Sequence, residues 1–443
     1  MKNNPNIRVR IAPSPTGNLH IGTTRTALFN YLFAKQNGGT FVIRIEDTDR
    51  ERSKLEFEQD IIEGLTHLGL IDEETEIAQK QSERTEIYKS YLKKLIDDGF
   101  AYESQEEVKE EGQRASVIRF KNPNKKVTFT DMIRGDITFD TTDLGDFVIA
   151  KSTEEPLFHL AVVVDDFEMK ISHVIRGEDH ISNTPRQILI QEAIGASTPT
   201  YAHLPLILSK ERKKLSKRDG AKSMREYIQD GYLQSALINF IAFLGWHPDG
   251  DEEVFSKEDL IKKFNISKIQ KGGAIFDIDK LNWFNREHIK KISQEDFKKI
   301  IEDESGFVIE SNTFINLIKE RITVFGDIKS LLERGGEFDH LVHDISIEDY
   351  SKIIWKDSNS EQTKEYLSQL ILIIKDIDDT HFKADQIKNS LWDYATEKGR
   401  GAVLWPTRYS LSGLDRSPDP FTIMEIIGKE KTLIRLENAI KNI

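Results

Sequence analysis

The chain has 443 residues, no cysteine and a net charge of −13, from 75 acidic against 62 basic side chains. The lack of cysteine excludes disulfides, thiolate zinc sites and thiol nucleophiles together. The acidic balance argues against indiscriminate nucleic-acid binding, so any such partner needs a local basic face. No run of about 18 apolar residues is present, so no membrane span is expected. The opening "MKNNPNIRVRIAP" lacks an apolar leader core, so a cytoplasmic location is expected. Single cores rarely exceed ~250–300 residues, so more than one packed unit is expected.

Residues 7–11 read as a strand, with Ile7, Val9 and Ile11 alternating. From His20 the spacing turns helical through Ala27, Leu28, Tyr31 and Leu32, and Gly38 and Gly39 stop it. "TFVIRIED" supplies a second strand through Phe41, Ile43 and Ile45. Strand, helix and strand in this order predict a βαβ unit opening a parallel sheet. Residues 82–99 predict an amphipathic helix. Between 100 and 154 the runs are short and alternating ("SVIRF", "ITF", "DFVIA"), which predicts a small mixed insertion. Apolar strand-like runs return at 157–175 ("LFHLAVVVDD", then "ISHVIRG", which ends at Gly177), and a helix is predicted over 183–194. From 227 onward the spacing is mostly helical. Capping-box sequences at Ser256–Asp259 and Ser293–Asp296 open helices there. Helical spacing continues through Leu317, Ile318, Ile322 and Phe325, then Leu367, Leu370, Ile371 and Ile374. The expected fold is an α/β half followed by an all-helical half.

Two segments concentrate the chemistry. In "RIAPSPTGNLHIGTTRTALFNYLF", Pro13 and Pro15 stiffen a loop that delivers His20 and Gly22 to a helix mouth. A helix N-terminus offers unpaired N–H groups and positive potential to a phosphate or carboxylate. Gly22 would let a ligand approach the backbone. The same residues also fit a rigid turn with an incidental histidine. The second segment, "SKERKKLSKRDGAKSMREY", is a basic island in an acidic chain, with Lys210, Arg212, Lys213, Lys214, Lys217, Arg218, Lys222 and Arg225. It reads either as a solvated charge run or as a loop that closes on developing phosphoryl charge. No Walker-type loop, no G-x-G-x-x-G after a strand and no H-E-x-x-H occurs.

"HIGT" at 20–23 and "KLSKR" at 214–218 resemble the two signatures of class I aminoacyl-tRNA synthetases. "GGTFVIRIEDTDRERS", "VIRGEDHISNTPRQ", "GGAIFDIDKLNWFN" and "LWPTRYSLSG" are similar to bacterial-type glutamyl-tRNA synthetases, and the resemblance spans nearly the whole chain. It implies a Rossmann-like catalytic domain in two halves, 1–98 and 155–227, the second carrying the KLSKR loop. An insertion at 99–154 would bind the acceptor stem. A stem-contact domain at 228–300 and an α-helical anticodon-binding domain at 301–443 would follow.

The resemblance also assigns residues. His20, Gly22 and Lys217 would be catalytic. Ala12, Ser14, Asp179, Lys214 and Arg218 would join them around ATP, with Mg²⁺ carried on its phosphates. Arg10, Ser14, Glu46, Phe158 and Arg176 would hold L-glutamate, Glu46 meeting the ammonium and the two arginines the side-chain carboxylate. Phe158 departs from the tyrosine common at that position. Ala101 and Glu103 stand where zinc-binding cysteines might be sought, so no structural zinc is expected. Arg400, Arg408 and Arg416 are candidates to touch RNA. The implied partner is tRNA(Glu), with tRNA(Gln) as an alternative second substrate and a non-catalytic tRNA-binding paralogue as the rival reading. Glutamate activation would require bound tRNA, and the chain is expected to be a monomer.

Overall fold

β1 (Arg8–Ile11), α1 (Ile21–Asn37) and β2 (Thr40–Ile43) form the expected βαβ unit. β1 and β2 run parallel, Val9 opposite Phe41 and Ile11 opposite Ile43. Every residue of α1 from Ala27 to Ala34 is buried, so this helix lies inside its unit. It stops where Gly38 adopts φ 63°, a left-handed conformation open to glycine, and returns its N–H to the carbonyls of Ala34 and Lys35. These elements belong to a computed structural model that describes residues 6–106, 116–215 and 222–443.

α2 (Leu55–His67), β3 (Glu76–Ile77) and α3 (Thr85–Asp97) come next. Then follow β4 (Ala101–Gln105), β5 (Ser116–Phe120), β6 (Lys126–Asp131), β7 (Gly135–Asp140), β8 (Phe147–Ser152) and β9 (Glu155–Pro156). The 99–154 segment therefore supplies strands to two sheets. β4, β5, β8 and β9 make an antiparallel sheet in that order, while β6 and β7 join the main sheet.

α4 (Phe158–Glu168), β10 (His173–Gly177), α5 (Thr184–Ile194) and β11 (Thr200–Leu204) complete the main sheet, ordered β3-β2-β1-β10-β11-β6-β7. Its strands pair in parallel, except for the β6–β7 hairpin. α4 corrects one expectation: "LFHLAVVVDD" is helical. Leu160 to Asp166 are all buried. A helix buried on every side shows no 3.6-residue period, so its apolar run is indistinguishable from a buried strand by pattern.

After β11 come β12 (Ile207–Leu208), α6 (Met224–Gln229), α7 (Gln234–Ala242), α8 (Lys257–Lys263), β13 (Ala274–Ile275) and α9 (Ile278–Lys290). β12 and β13 pair in parallel. The chain divides within α9 into two units, Met1–His288 and Ile289–Ile443.

The second unit has only helices among its described regular elements. It contains α10 (Gln294–Ser305), α11 (Asn312–Arg321), α12 (Asp327–Leu332), α13 (Asp339–Val342), α14 (Ser360–Lys375), α15 (Ala384–Lys398), α16 (Arg400–Ser412) and α17 (Pro420–Asn442). Ser293 caps α10 by accepting the Asp296 N–H, as its sequence predicts. Leu367, Leu370 and Ile374 of α14 are buried with Leu391, Val403 and Leu436. Among the described residues no helix is long and apolar enough to cross a membrane.

His340 of α13 is 3% exposed. Burial first, then the nearby Arg435 cation, pull its imidazole down to about 4 from the ordinary 6.5. The unfolded chain therefore takes up this proton before the folded one does. The stability contributed by neutral His340 is complete above about pH 6.5 and is lost as pH falls toward 4. His340→Leu is expected to flatten the acid-side fall of the urea midpoint across that window. An unchanged slope would refute a neutral buried imidazole here.

Candidate active site

β1 leads through α1 to β2 on one side, and β10 leads through α5 to β11 on the other. The sheet order thus reverses between β1 and β10, and a crevice opens at the strand ends of such a switch point. A cavity of about 630 Å³ lies there. Arg10, Ala12, Ser14, His20, Gly22, Glu46, Phe158, Arg176, Asp179 and Lys214 all line it. Lys217 and Arg218 lie outside the described residues. The loop between β1 and α1 is tied down at both prolines. The Pro13 carbonyl accepts the Glu46 N–H at 3.0 Å, and the Pro15 carbonyl accepts the Lys54 N–H at 3.0 Å.

His20 is the N-cap of α1. Its Nδ1 accepts the Gly22 N–H at 3.1 Å and the Thr23 N–H at 3.4 Å. An accepting Nδ1 carries no proton, so the neutral ring holds its proton on Nε2, 3.2 Å from Thr23 Oγ1. The first turn of α1 has no acidic side chain, so the positive end of the helix is not offset there. A Cβ on Gly22 would sit 3.1 Å from two atoms of the His20 ring. Glycine at 22 therefore leaves the imidazole room to cap.

Beneath this loop lies a buried charge cluster. Arg10 donates through Nε and Nη2 to the two oxygens of Asp166, at 3.1 and 3.3 Å. Arg44, with no exposure, donates to Asp166 at 2.8 Å and to Glu46 at 2.9 Å. Asp165 accepts from Arg84 Nε at 2.8 Å, from Gln81 at 2.9 Å and from the Tyr88 hydroxyl. Burial alone would raise the Asp166 carboxyl, but Arg10 and Arg44 hold it below its ordinary range. For Glu46 burial prevails over the pull of Arg44, and its carboxyl is raised.

Arg176, on β10 beside β1, differs in kind. It is 6% exposed, yet among the described residues no carboxylate pairs with it. Its Nε donates to His203 Nε2 at 3.2 Å and its Nη2 to Thr184 Oγ1 at 2.8 Å, both neutral acceptors. Burial lowers its guanidinium to about 10, so it stays cationic at neutral pH. A buried cation lacking its counter-ion is costly to the free protein and complementary to an anionic ligand.

The catalytic-domain family "tRNA synthetases class I (E and Q)" matches residues 6–116 and 103–283, and an anticodon-binding domain family matches 275–440. A glutamate–tRNA ligase of Thermodesulfovibrio yellowstonii is 39% identical, with 98% of this chain and 99% of that protein aligned. One from Bacillus licheniformis is 38% identical over 98% and 99%. The crystal structure of a glutamate tRNA ligase from Elizabethkingia meningosepticum, in complex with its amino acid, superposes with a TM-score of 0.86 at 34% identity over 99% of both chains. The chain belongs to the glutamate–tRNA ligase family of class I synthetases.

Within this synthetase, Phe158 opens α4 and packs against His159 and His180, ring centroids 5.5 and 5.6 Å apart. Burial, with Arg186 and Arg176 respectively as the next cause, brings both imidazoles down to about 4. Phe158 therefore sits between two neutral imidazoles and offers no phenol. Lys214 Nζ approaches Asp179 Oδ2 at 3.9 Å.

The RNA candidates lie in the helical unit. Arg400, exposed at the start of α16, stacks 4.4 Å from the Trp392 ring. Arg408 donates to the Asp415 carbonyl at 2.8 Å and to Ser417 Oγ at 3.1 Å, which ties it to its own loop. Arg416 is exposed.

The sequence pattern did not single out Arg44, Arg84, Asp165, Asp166, Asp131 or His203. One signal was available: two adjacent acids closing the apolar run "LAVVVDD" must find cations if the run is buried. Arg44→Met would leave Asp166 and Glu46 short of a shared cation in a dry setting. We expect it to destabilise the first unit by about 3–5 kcal/mol, read as a lower urea midpoint. An unchanged midpoint would refute this role for Arg44.

Proposed function

We propose that the cavity binds ATP and L-glutamate side by side and that the chain passes the activated glutamyl group to tRNA(Glu). The observation that carries this reading is the buried Arg176 guanidinium, without a carboxylate partner among the described residues, sharing one cavity with the N-terminus of α1, whose first turn has no acidic side chain. A glutamate side-chain carboxylate suits the first. The ATP phosphates suit the second.

In the first step an α-carboxylate oxygen of glutamate attacks the α-phosphorus of ATP. The bond to the bridging oxygen of the β-phosphate breaks, and pyrophosphate leaves with the electron pair. In the second step the terminal adenosine hydroxyl of tRNA attacks the acyl carbon, loses its proton and displaces AMP. Neither step needs a protein nucleophile. Both need negative charge placed and stabilised.

His20 Nε2–H would meet a phosphate oxygen, with Gly22 keeping the helix mouth open beside it. Lys217, with Lys214 and Arg218 beside it, would stabilise the charge developing on the transferred phosphoryl group. Ala12 and Ser14 would bound the nucleotide, with Asp179 opposite. Glu46 would hold the substrate ammonium, its own charge already steered by Arg44. Arg10 shares its charge with Asp166, so the main reader of the side-chain carboxylate would be Arg176, against Phe158. Among the described residues no three acidic or histidine groups converge as a metal cage. Mg²⁺ would therefore be held by triphosphate oxygens and water, where it neutralises phosphate charge.

The same reading gives 1–98 and 155–227 the chemistry, 99–154 the acceptor stem and 228–300 the tRNA stem. It gives 301–443 the anticodon, with Arg400 and Arg416 better placed than Arg408 to meet RNA. Glutamate activation would wait for bound tRNA, and the chain would act as a cytoplasmic monomer.

Purified protein should form pyrophosphate from ATP and glutamate only with tRNA(Glu) present, and should charge that tRNA. No activity would refute the reading, and equal charging of tRNA(Gln) would make the enzyme non-discriminating. Arg176→Gln should cost about 2–5 kcal/mol of glutamate binding, a rise in KM of roughly 30- to 4,000-fold, with the KM for ATP unchanged. An unaltered KM for glutamate would remove Arg176 from the pocket. Lys217→Ala should lower kcat by roughly 10²–10³-fold with little effect on the KM for glutamate. A normal kcat would remove it from the chemistry.

A further inference from the structure

We propose that His203 is a positioning residue: a neutral imidazole that aims the Arg176 guanidinium while keeping a carboxylate away from it, so that the full charge is left for the substrate. The proposal rests on the reading of Arg176 given above.

Arg10 and Arg176 both line the cavity, and their supports differ. Arg10 is gripped by both oxygens of Asp166. Arg176 has a carboxylate at one remove. Its Nε–H donates to His203 Nε2 at 3.2 Å, and His203 Nδ1 lies 2.7 Å from Asp131 Oδ2. Arginine has no acceptor, so His203 Nε2 must carry a lone pair, and the ring proton belongs on Nδ1, donated to Asp131. The order of groups along the relay is thus determined by donor and acceptor chemistry.

The sheet builds this relay. Arg176 on β10 and His203 on β11 are register partners, and β11 pairs with β6, whose last residue is Asp131. Asp131 also accepts the N–H groups of His203, Ile133 and Arg134 at 2.9, 2.9 and 3.0 Å. With those donors the carboxylate is anchored on its own strand end. The Thr184 hydroxyl supplies a second neutral brace, donating to the His180 carbonyl at 3.1 Å and accepting from Arg176 Nη2. The side chains of His203 and Asp131 are wholly buried, and neither lines the cavity. They act on a substrate only through Arg176.

An imidazole in place of a direct carboxylate has an electrostatic consequence. Charge interaction falls with separation, and in a dry site it falls from a large value. A carboxylate on Arg176 itself would compete with the substrate's own carboxylate. A bare cavity wall would leave the long arginine side chain unaimed. The interposed imidazole avoids both. Protonating it would set an N–H against an N–H and a cation beside a cation. Burial, with Arg176 adding to it, lowers the His203 imidazole against the pull of Asp131 and keeps it neutral.

The test uses the full chain, tRNA(Glu) and steady-state kinetics. His203→Leu keeps bulk and removes the acceptor. It should raise the KM for glutamate about 10–100-fold and leave the KM for ATP unchanged. His203→Gln can return an acceptor near the Nε2 position and should recover most of the loss. The double variant Asp131→Asn with His203→Glu moves the negative charge onto Arg176 at constant net charge. It should bind glutamate as poorly as the leucine variant although an acceptor is present.

Equal kinetics for the leucine and glutamine variants would overturn the proposal, as would parallel changes in both KM values. So would a double variant with near-normal glutamate binding, or a glutamine variant that thermal unfolding shows not to fold, since His203 would then be structural. Should the double variant alone fail to fold, the leucine–glutamine comparison decides. Arg176→Gln, run alongside, separates the failures. If it leaves the KM for glutamate unchanged, the reading of Arg176 itself is wrong. If it raises that KM while the His203 variants do not, only the positioning role fails.

Discussion

The side chains under the cavity must cancel one another's charge, because they are almost sealed from water. Arg10, Arg44 and Arg84 face Glu46, Asp165 and Asp166 in a set that closes on itself. Asp165 and Asp166 sit near the C-terminal end of α4, where the helix dipole disfavours anions. The converging guanidiniums, with Gln81 and Tyr88 donating to Asp165, make that placement tolerable. They come from β1, from the strand end after β2, and from the residue preceding α3. A shift of any one element would strand a charge in a dry interior, so the cluster ties these elements into one arrangement.

The neighbouring strand β10 follows the reverse rule. Arg176 is held by a histidine and a threonine, and its charge stays open toward the cavity. The cavity thus combines a raised acidic group at Glu46, an open cation at Arg176 and the positive end of α1. On the proposed reading these three features answer the ammonium, the side-chain carboxylate and the phosphates. A sheet with a switch point brings all three to one cavity.

His20 shows how a structural and a functional reading can be one. Capping α1 through Nδ1 is a local backbone task. It also settles the tautomer, and so leaves the donor on Nε2. The same ring that satisfies the helix is thereby prepared to donate. Gly22 belongs to both tasks, because a side chain there would press on the ring.

Local pattern determined a good deal of this protein. Alternation marked β1 and β2, Gly38 and Gly39 ended α1, and helical spacing marked the second unit. Arg10, Glu46 and Arg176 came only with the family resemblance, whereas the proline loop with the HIGT stretch marked His20 and Gly22, and the basic island marked Lys214, all of which line the cavity. These features depend on neighbours in sequence, which a period or a turn residue reports directly. Only the tertiary structure decided that "LFHLAVVVDD" is a helix, that Arg44 meets Asp166 across 122 positions, and that His203 stands between Arg176 and Asp131. A residue buried on all sides has no period to read. A charge relay across strands depends on which strands lie side by side, and the sheet order settles that only after the chain has packed.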